Sequence, residues 1–277
     1  MYTLNCRGKI MVLDEPQVMG ILNVTPDSFY EGHLEKPEDQ LLQLVQQMMV
    51  DGAAIIDVGG QSTRPGSKRI ETGEEIQRVL PVIELIQKHF PQTIISIDTY
   101  NSKVAAAAVT AGASMVNDIS AGDMDEQMIT TVARLQVPYI CMHMQGRPET
   151  MQEQPQYTDV VKEVLDYFIA KTEQCKSAGI TDMIIDPGFG FGKTIAHNFT
   201  LLKNLNAFTL LGKPLLAGLS RKSTVYKTLQ TTAGNALNGT TALNTMALLN
   251  GASLLRVHDV KEAKEAITLF TAYKKAP

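Results

Sequence analysis

Eight short apolar runs, each followed by a longer segment of helical periodicity, constrain this chain more than anything else in its sequence. The runs fall at 18–23, 54–58, 93–98, 115–117, 139–143, 183–186, 215–217 and 253–257. The helix-period segments fall at 37–50, 72–89, 102–111, 125–135, 158–178, 196–205, 235–250 and 260–273. Strict alternation predicts a parallel sheet, because parallel neighbours are joined only by a crossover long enough to hold a helix. Eight units in 277 residues predict one α/β domain over 1–277, a (β/α)8 TIM barrel with extended loops after its first two strands. An open doubly wound sheet is the alternative. Asp51-Gly52-Ala53, Ala111-Gly112-Ala113 and Asn250-Gly251-Ala252 favour the barrel, since each reads as a helix ending at Gly and feeding a strand.

Composition narrows the class of function. At 44% hydrophobic and 19% charged residues, the chain has apolar mass for a large core. A net charge of -4 and a pI near 5.8 exclude a general nucleic-acid binder, though not a local basic cluster. Cys6, Cys141 and Cys175 lack CxxC spacing, which argues against a disulfide framework or zinc knuckle. No run approaches the ~20 apolar residues of a membrane span. The N-terminus does not read as a secretory signal. The expectation is a reduced, cytoplasmic protein, in which the sequons at Asn23, Asn198 and Asn238 carry no glycan.

The strand ends are polar. In order they are Asn23, Asp57, Asp98, Asn117, His143, Asp186, Ser220-Arg221-Lys222 and Arg256-Val257-His258. In a barrel of this kind the reacting groups stand where strands end, so a polar residue recurring at that position in every unit marks a site. Asp98, Asn117 and Asp186 offer acceptors and an amide donor suited to the edge of a planar heterocycle rich in N–H groups. Arg256, His258 and Asn23 lie on strands that become neighbours on closure. Two cations beside an amide suit an anion or phosphate, and the Asn23 oxygen suits a divalent cation. A guanidinium such as that of Arg256 also stacks on rings. The loops Thr25-Pro26-Asp27-Ser28-Phe29 and Gly59-Gly60-Gln61-Ser62-Thr63-Arg64-Pro65-Gly66-Ser67 have the composition of binding loops or lids.

One stretch combines these traits. Ile184-Ile185-Asp186-Pro187-Gly188-Phe189-Gly190-Phe191-Gly192-Lys193 is an apolar strand that stops on a carboxylate and opens into a Gly-rich turn. Its bland reading makes Asp186 a helix cap and packs both phenylalanines inward. Gly192-Lys193-Thr194 resembles the end of a phosphate-binding loop, but Pro187 occupies the place of the required Gly. The GxGxG spacing lacks a dinucleotide-site tail, so a nicotinamide cofactor is unsupported. His143 beside Cys141 reads as a strand-end core histidine rather than a metal ligand.

The assembled pieces closely resemble the dihydropteroate synthases of the pterin-binding family. The resemblance rests on Gly20-Ile21-Leu22-Asn23-Val24-Thr25-Pro26-Asp27-Ser28-Phe29, Asp57-Val58-Gly59-Gly60-Gln61-Ser62-Thr63-Arg64-Pro65-Gly66, Ser96-Ile97-Asp98-Thr99 and Asn117-Asp118-Ile119-Ser120. It continues through Met142-His143-Met144-Gln145-Gly146, the 186–193 stretch, Ser220-Arg221-Lys222-Ser223 and Arg256-Val257-His258-Asp259-Val260. It implies an enzyme of folate biosynthesis and sulfonamide target that joins 6-hydroxymethyl-7,8-dihydropterin diphosphate to 4-aminobenzoate with Mg2+, acting as a homodimer without nucleic acid or membrane. By resemblance Asp98, Asn117, Asp186 and Lys222 hold the pterin, Met142 lines its slot, Gly190 lets backbone approach it and Arg256 stacks on it. Asn23 with Mg2+, and Thr63, Arg64, Arg256 and His258, receive the diphosphate. Phe29, Thr63, Pro65, Phe191, Ser220 and Lys222 form the aminobenzoate pocket. Catalysis then falls to Asp98, Asp186, Lys222, Arg256, Thr63 and Arg64.

Departures from the family pattern are small. Gln61 replaces a common Glu, and Tyr30-Glu31-Gly32-His33 replaces a more usual Ser-Asp-Gly-Gly, both in loops. A pterin-binding barrel methyltransferase and a ligand-binding paralogue without synthase activity are the alternatives. The first has no use for the diphosphate set, and the second would not need Asp98, Asp186, Lys222 and Arg256 intact.

Overall fold

The computed structural model describes residues 1–24, 38–62 and 69–277. Its first element is one the sequence reading left unassigned. Strands β1 (Tyr2–Cys6) and β2 (Lys9–Leu13) pair antiparallel as a hairpin. Arg7 and Gly8, with φ of 56° and 86°, form its two-residue turn, and consecutive positive φ values match the twist of the strands they join.

The barrel follows. Its strands are β3 (Gln17–Asn23), β4 (Ala53–Gly59), β5 (Ile94–Asp98), β6 (Met115–Asp118), β7 (Tyr139–Met142), β8 (Met183–Asp186), β9 (Leu216–Ala217) and β10 (Leu254–Val257). They run in the order β8-β7-β6-β5-β4-β3-β10-β9, all parallel. A parallel bridge between Ile185 and Leu215 joins the two ends. That bridge closes the sheet and overturns the open alternative. The helices are α1 (Glu38–Val50), α2 (Thr72–His89), α3 (Ser102–Ala111), α4 (Met128–Leu135), α5 (Val160–Ser177), α6 (Ile195–Lys203), α7 (Ser223–Thr228), α8 (Leu237–Leu249) and α9 (Val260–Lys275).

Three boundaries differ from expectation for local reasons. Helix α4 starts three residues late because Asp125 takes backbone N–H groups of Ser102 (2.7 Å) and Gln127 (3.0 Å) instead of joining the helix. After α6 the chain tightens into a 3-10 turn, Leu205–Leu211, before β9. Between β9 and α8 the short α7 inserts, carrying the polar run that follows Ser220.

Strand parity divides the core in two. Val18, Leu22, Ile56, Val58, Ile95, Ile97, Val116, Tyr139, Cys141, Ile185, Leu255 and Val257 pack outward with helix residues such as Val45, Ile83, Val104, Phe168 and Ile267. Met19, Ile55, Met115, Ile140, Ile184, Leu216 and Leu254 share a separate cluster inside the barrel. Leu4, Cys6, Met11 and Leu13 of the hairpin belong to that inner cluster, so the hairpin stoppers the barrel at its lower end. Side chains alternate faces with period two. Two residues further along the same strands, the inward positions are therefore Asp57, Asn117, Met142, Asp186, Gly218 and Arg256. One step up the barrel, an apolar plug becomes a polar ring.

Candidate active site

Arg256 stands at the centre of that ring. Its Nε donates to Asp57 Oδ2 at 2.6 Å and its Nη2 to Asp98 Oδ2 at 2.6 Å. Asn117 Nδ2 donates to the same Asp57 oxygen at 3.0 Å. Strands β4, β5, β6 and β10 thus meet through one guanidinium and one carboxylate oxygen. Asp57 is completely buried, whereas Arg256 keeps 19% of its side chain exposed.

On the opposite wall, Asp186 Oδ1 accepts the Gly188 N–H at 2.8 Å. This local turn, rather than a helix cap, is what Asp186 makes; Thr194 caps α6. A side chain at Gly218 would stand 3.5 Å from Lys222 Nζ and 3.9 Å from Asp186 Oδ2, so a bare backbone leaves room for both charged groups. Lys222 Nζ donates to the Phe189 carbonyl at 2.6 Å and lies 4.7 Å from the centre of the Phe191 ring. Phe189 is buried in the outer core, while Phe191 packs against a small separate cluster of Tyr100, Ile119 and Met142. The two phenylalanines have parted, one to structure and one to the pocket wall.

The loop between β8 and α6 is saturated with partners. Lys193 Nζ donates to the carbonyls of Gly188 (3.0 Å), Phe191 (3.0 Å) and His143 (3.2 Å) and meets His143 Nδ1 at 2.9 Å. Gln152 takes the Gly190 carbonyl and Tyr157 the Gly192 carbonyl. Asn198 Oδ1 accepts the Gly190 N–H at 2.7 Å. Every carbonyl from Gly188 to Gly192 is therefore engaged, as burying such a loop requires. Asn198 is itself buried, so its sequon is a packing residue.

Ser220 and His258 join across β9 and β10. Ser220 Oγ lies 3.0 Å from His258 Nδ1 and accepts the His258 N–H at 3.2 Å. Beside them Arg221, at a left-handed φ of 53°, clasps Asp259 through two bonds of 2.8 Å. Arg221 therefore braces the two strand ends and does not face the pocket as a free cation.

The structure thus joins Asp98, Asn117 and Arg256 through Asp57, sets Lys222 beside Asp186, Gly190 and Phe191, packs Met142 against Phe191, and pairs Ser220 with His258. Phe29, Thr63, Arg64 and Pro65 lie outside the described residues. Asp57 has a role that its place as a strand end does not give, and Lys193, left as a loop residue by the failed phosphate-loop motif, ties that loop to His143. Its pairings with Arg256, 199 residues away, and with Asn117, 60 away, give Asp57 that role.

A profile of the pterin binding enzyme family matches residues 19–258. Dihydropteroate synthase of Escherichia coli strain K12 is 42% identical over 271 residues, covering 97% of this chain and 95% of that protein. The chain belongs to the dihydropteroate synthase family. Among solved members, Xanthomonas albilineans dihydropteroate synthase with 4-aminobenzoic acid superposes with a TM-score of 0.92 at 40% identity over 99% of each chain. A Yersinia pestis dihydropteroate synthase with a sulfonamide drug gives 0.93 at 41%, covering 99% of this chain and all of that one.

Electrostatics in this dihydropteroate synthase family member follow from burial. Desolvation lifts the Asp98 carboxyl to about 7; Arg256 pulls against it, while Asp57, Glu75 and Asp118 add to it. Burial also raises Asp186, opposed chiefly by Lys222. It lowers the Lys222 ammonium to about 8, opposed by Asp186. Burial works on Arg256 too, but Asp57 and Asp98 hold its guanidinium charged, above its ordinary value. His143 falls to about 2 through burial and then Lys193, so its imidazole is neutral. At the mouth, a side chain on Gly59 would lie 3.5 Å from Asp98 Oδ2 and 3.7 Å from Asn23 Oδ1. These are hard oxygen donors. Mg2+ keeps most of its shell for water and phosphate oxygens, and one amide oxygen fits such an ion.

Proposed function

We propose that the chain is a dihydropteroate synthase that condenses 6-hydroxymethyl-7,8-dihydropterin diphosphate with 4-aminobenzoate, yielding 7,8-dihydropteroate and diphosphate in folate biosynthesis. One observation carries this reading. At the mouth of a closed barrel, Arg256 is forked between Asp57 and Asp98 beside Asn117, with Asp186 and Lys222 on the facing wall.

In this reading the flat ring enters between Met142 and the Arg256 guanidinium. Its N–H edge meets Asp98, Asn117 and Asp186, while Lys222 serves the acceptor side. The exocyclic carbon–oxygen bond breaks as the aniline nitrogen forms a carbon–nitrogen bond, and that nitrogen gives up one proton. Diphosphate leaves with the oxygen. It is already a stable leaving group, so no covalent nucleophile is required; the site acts on developing charge. Arg256 and His258 face the departing anion, joined by Thr63 and Arg64. Mg2+ at Asn23 supplies further positive charge to the diphosphate when bound. Asp98 and Asp186 offset the positive charge spreading over the pterin. Phe191, Ser220, Lys222 and Gly190, with Phe29, Thr63 and Pro65, enclose 4-aminobenzoate, its carboxylate beside Ser220.

We read residues 1–277 as one working domain in the cytoplasm. Three buried free cysteines suit a reducing compartment, and no described helix is long and apolar enough to cross a membrane. The assembly we propose is a homodimer, supported by an apolar surface on α8 and α9 that exposes Leu249, Leu269 and Tyr273.

The test supplies purified protein with Mg2+, pterin diphosphate and 4-aminobenzoate and follows diphosphate release and dihydropteroate by chromatography. Both products should appear in equal amounts, and Lys222→Ala should lose at least about a hundredfold in kcat/KM with its fold intact. Folded protein that releases no diphosphate above background would sink the reading.

A further inference from the structure

Resting on the reading above, we propose that Asp57 is a positioning residue for pterin recognition: its single oxygen Oδ2 fixes both the setting of Arg256 and the direction of the Asn117 amide. The argument begins with donor inventory. Asp57 Oδ2 accepts from the Arg256 guanidinium, and the group that Asn117 turns toward the same oxygen is its NH2, at 3.0 Å. The Asn117 carbonyl oxygen is then directed away from Asp57. Had a donor stood at position 57, the amide would be free to reverse, and the pocket floor would present an N–H where it now offers an acceptor.

The same oxygen holds Arg256 Nε at 2.6 Å while Asp98 holds Nη2 at 2.6 Å. Two carboxylates on neighbouring strands therefore grip two different nitrogens of one planar group and fix its tilt, leaving the third nitrogen uncommitted to either. Asp98 alone would allow the guanidinium to swing into a bidentate pair with it, withdrawing from the ring position. Asp57 does this from behind the pocket, being wholly buried. Its other oxygen, Oδ1, has no hydrogen-bond partner among the described residues. A buried carboxylate with one oxygen unpaired is costly for the fold, which favours a role in setting the site over one in stabilising the core.

The experiment compares wild type, Asp57→Asn and the reversed pair Asp57→Asn with Asn117→Asp in steady-state kinetics, with urea denaturation alongside. Wild-type turnover tests the function itself; the variants test Asp57 and its hold on the Asn117 amide. For Asp57→Asn, KM for pterin diphosphate should rise roughly ten- to a hundredfold while KM for 4-aminobenzoate stays within about twofold. The reversed pair restores a donor–acceptor couple, so it should regain stability but keep the raised pterin KM. A pH profile adds a second readout. Asp98 is faced by Arg256, Asp57, Glu75, Asp118 and Lys222, and only Asp57 changes, so the acid limb should move to lower pH. An unchanged pterin KM in folded Asp57→Asn would overturn the proposal. So would both KM values rising in step with lost stability, recovery of pterin KM in the reversed pair, or failure of both variants to fold.

Discussion

Asp98 and Lys222 are drawn toward neutral pH from opposite sides, to about 7 and about 8. Burial drives both shifts, because it penalises the charged form of an acid and of a base alike. If turnover needs Asp98 ionised and Lys222 protonated, kcat/KM should trace a narrow bell, rising through about 7 and falling above about 8. Asp98→Asn should lower the rate and abolish the acid limb; an acid limb that survives would assign it to another group. Most residues of the site were legible because each ends an apolar run. The role of Asp57, itself one of those strand ends, and that of Lys193 were not, for a shared reason. Those roles lie in partners distant in sequence or in backbone carbonyls, and spacing records neither kind of partner. Lys193 even carried a misleading mark, the Gly-Lys-Thr of a phosphate loop, while in the fold its ammonium gathers the carbonyls of its own turn.

At the scale of elements, two left-handed glycines bear very different constraints. Gly8 in the β1–β2 turn has φ of 86° and open space around a would-be Cβ, so Gly8→Ala meets only backbone strain. Its expected cost is about 1 kcal/mol in urea denaturation. Gly188, at φ of 72°, would drive a Cβ into the His143 carbonyl oxygen. Gly188→Ala must displace the loop that carries Phe191 and the Phe189 carbonyl, so kcat/KM should fall by at least about a hundredfold. Near-normal turnover in Gly188→Ala would remove that loop from the pocket. The eight crossover helices and barrel strands were readable from periodicity to within a few residues, but the short α7 was not. The hairpin was not, since its turn is Arg-Gly rather than a strong Asn-Gly or Asp-Gly signal, and its buried residues find their partners only once the barrel exists.

For the whole molecule, alternation pointed to the barrel, and closure through Ile185 and Leu215 is what sequence alone left open. Helices α8 and α9 share an apolar face, where Leu249 is 57% exposed and Leu269 and Tyr273 each 72%. If that face joins two copies, Leu269→Lys should convert a dimer to a monomer in sedimentation at micromolar concentration while leaving the fold unchanged; a dimer that persists would place the interface elsewhere. The parity of the strands has a genetic corollary. Outward residues such as Val58, Ile97 and Val116 bind sheet to helix, so their lesions should behave as temperature-sensitive alleles, rescued by cold or by chaperones. Inward residues one position away, Asp57 and Asn117, should give alleles impaired in substrate use that cold does not revive. Neighbouring codons on a single strand thus divide into two phenotypic classes, in a two-beat pattern along the gene.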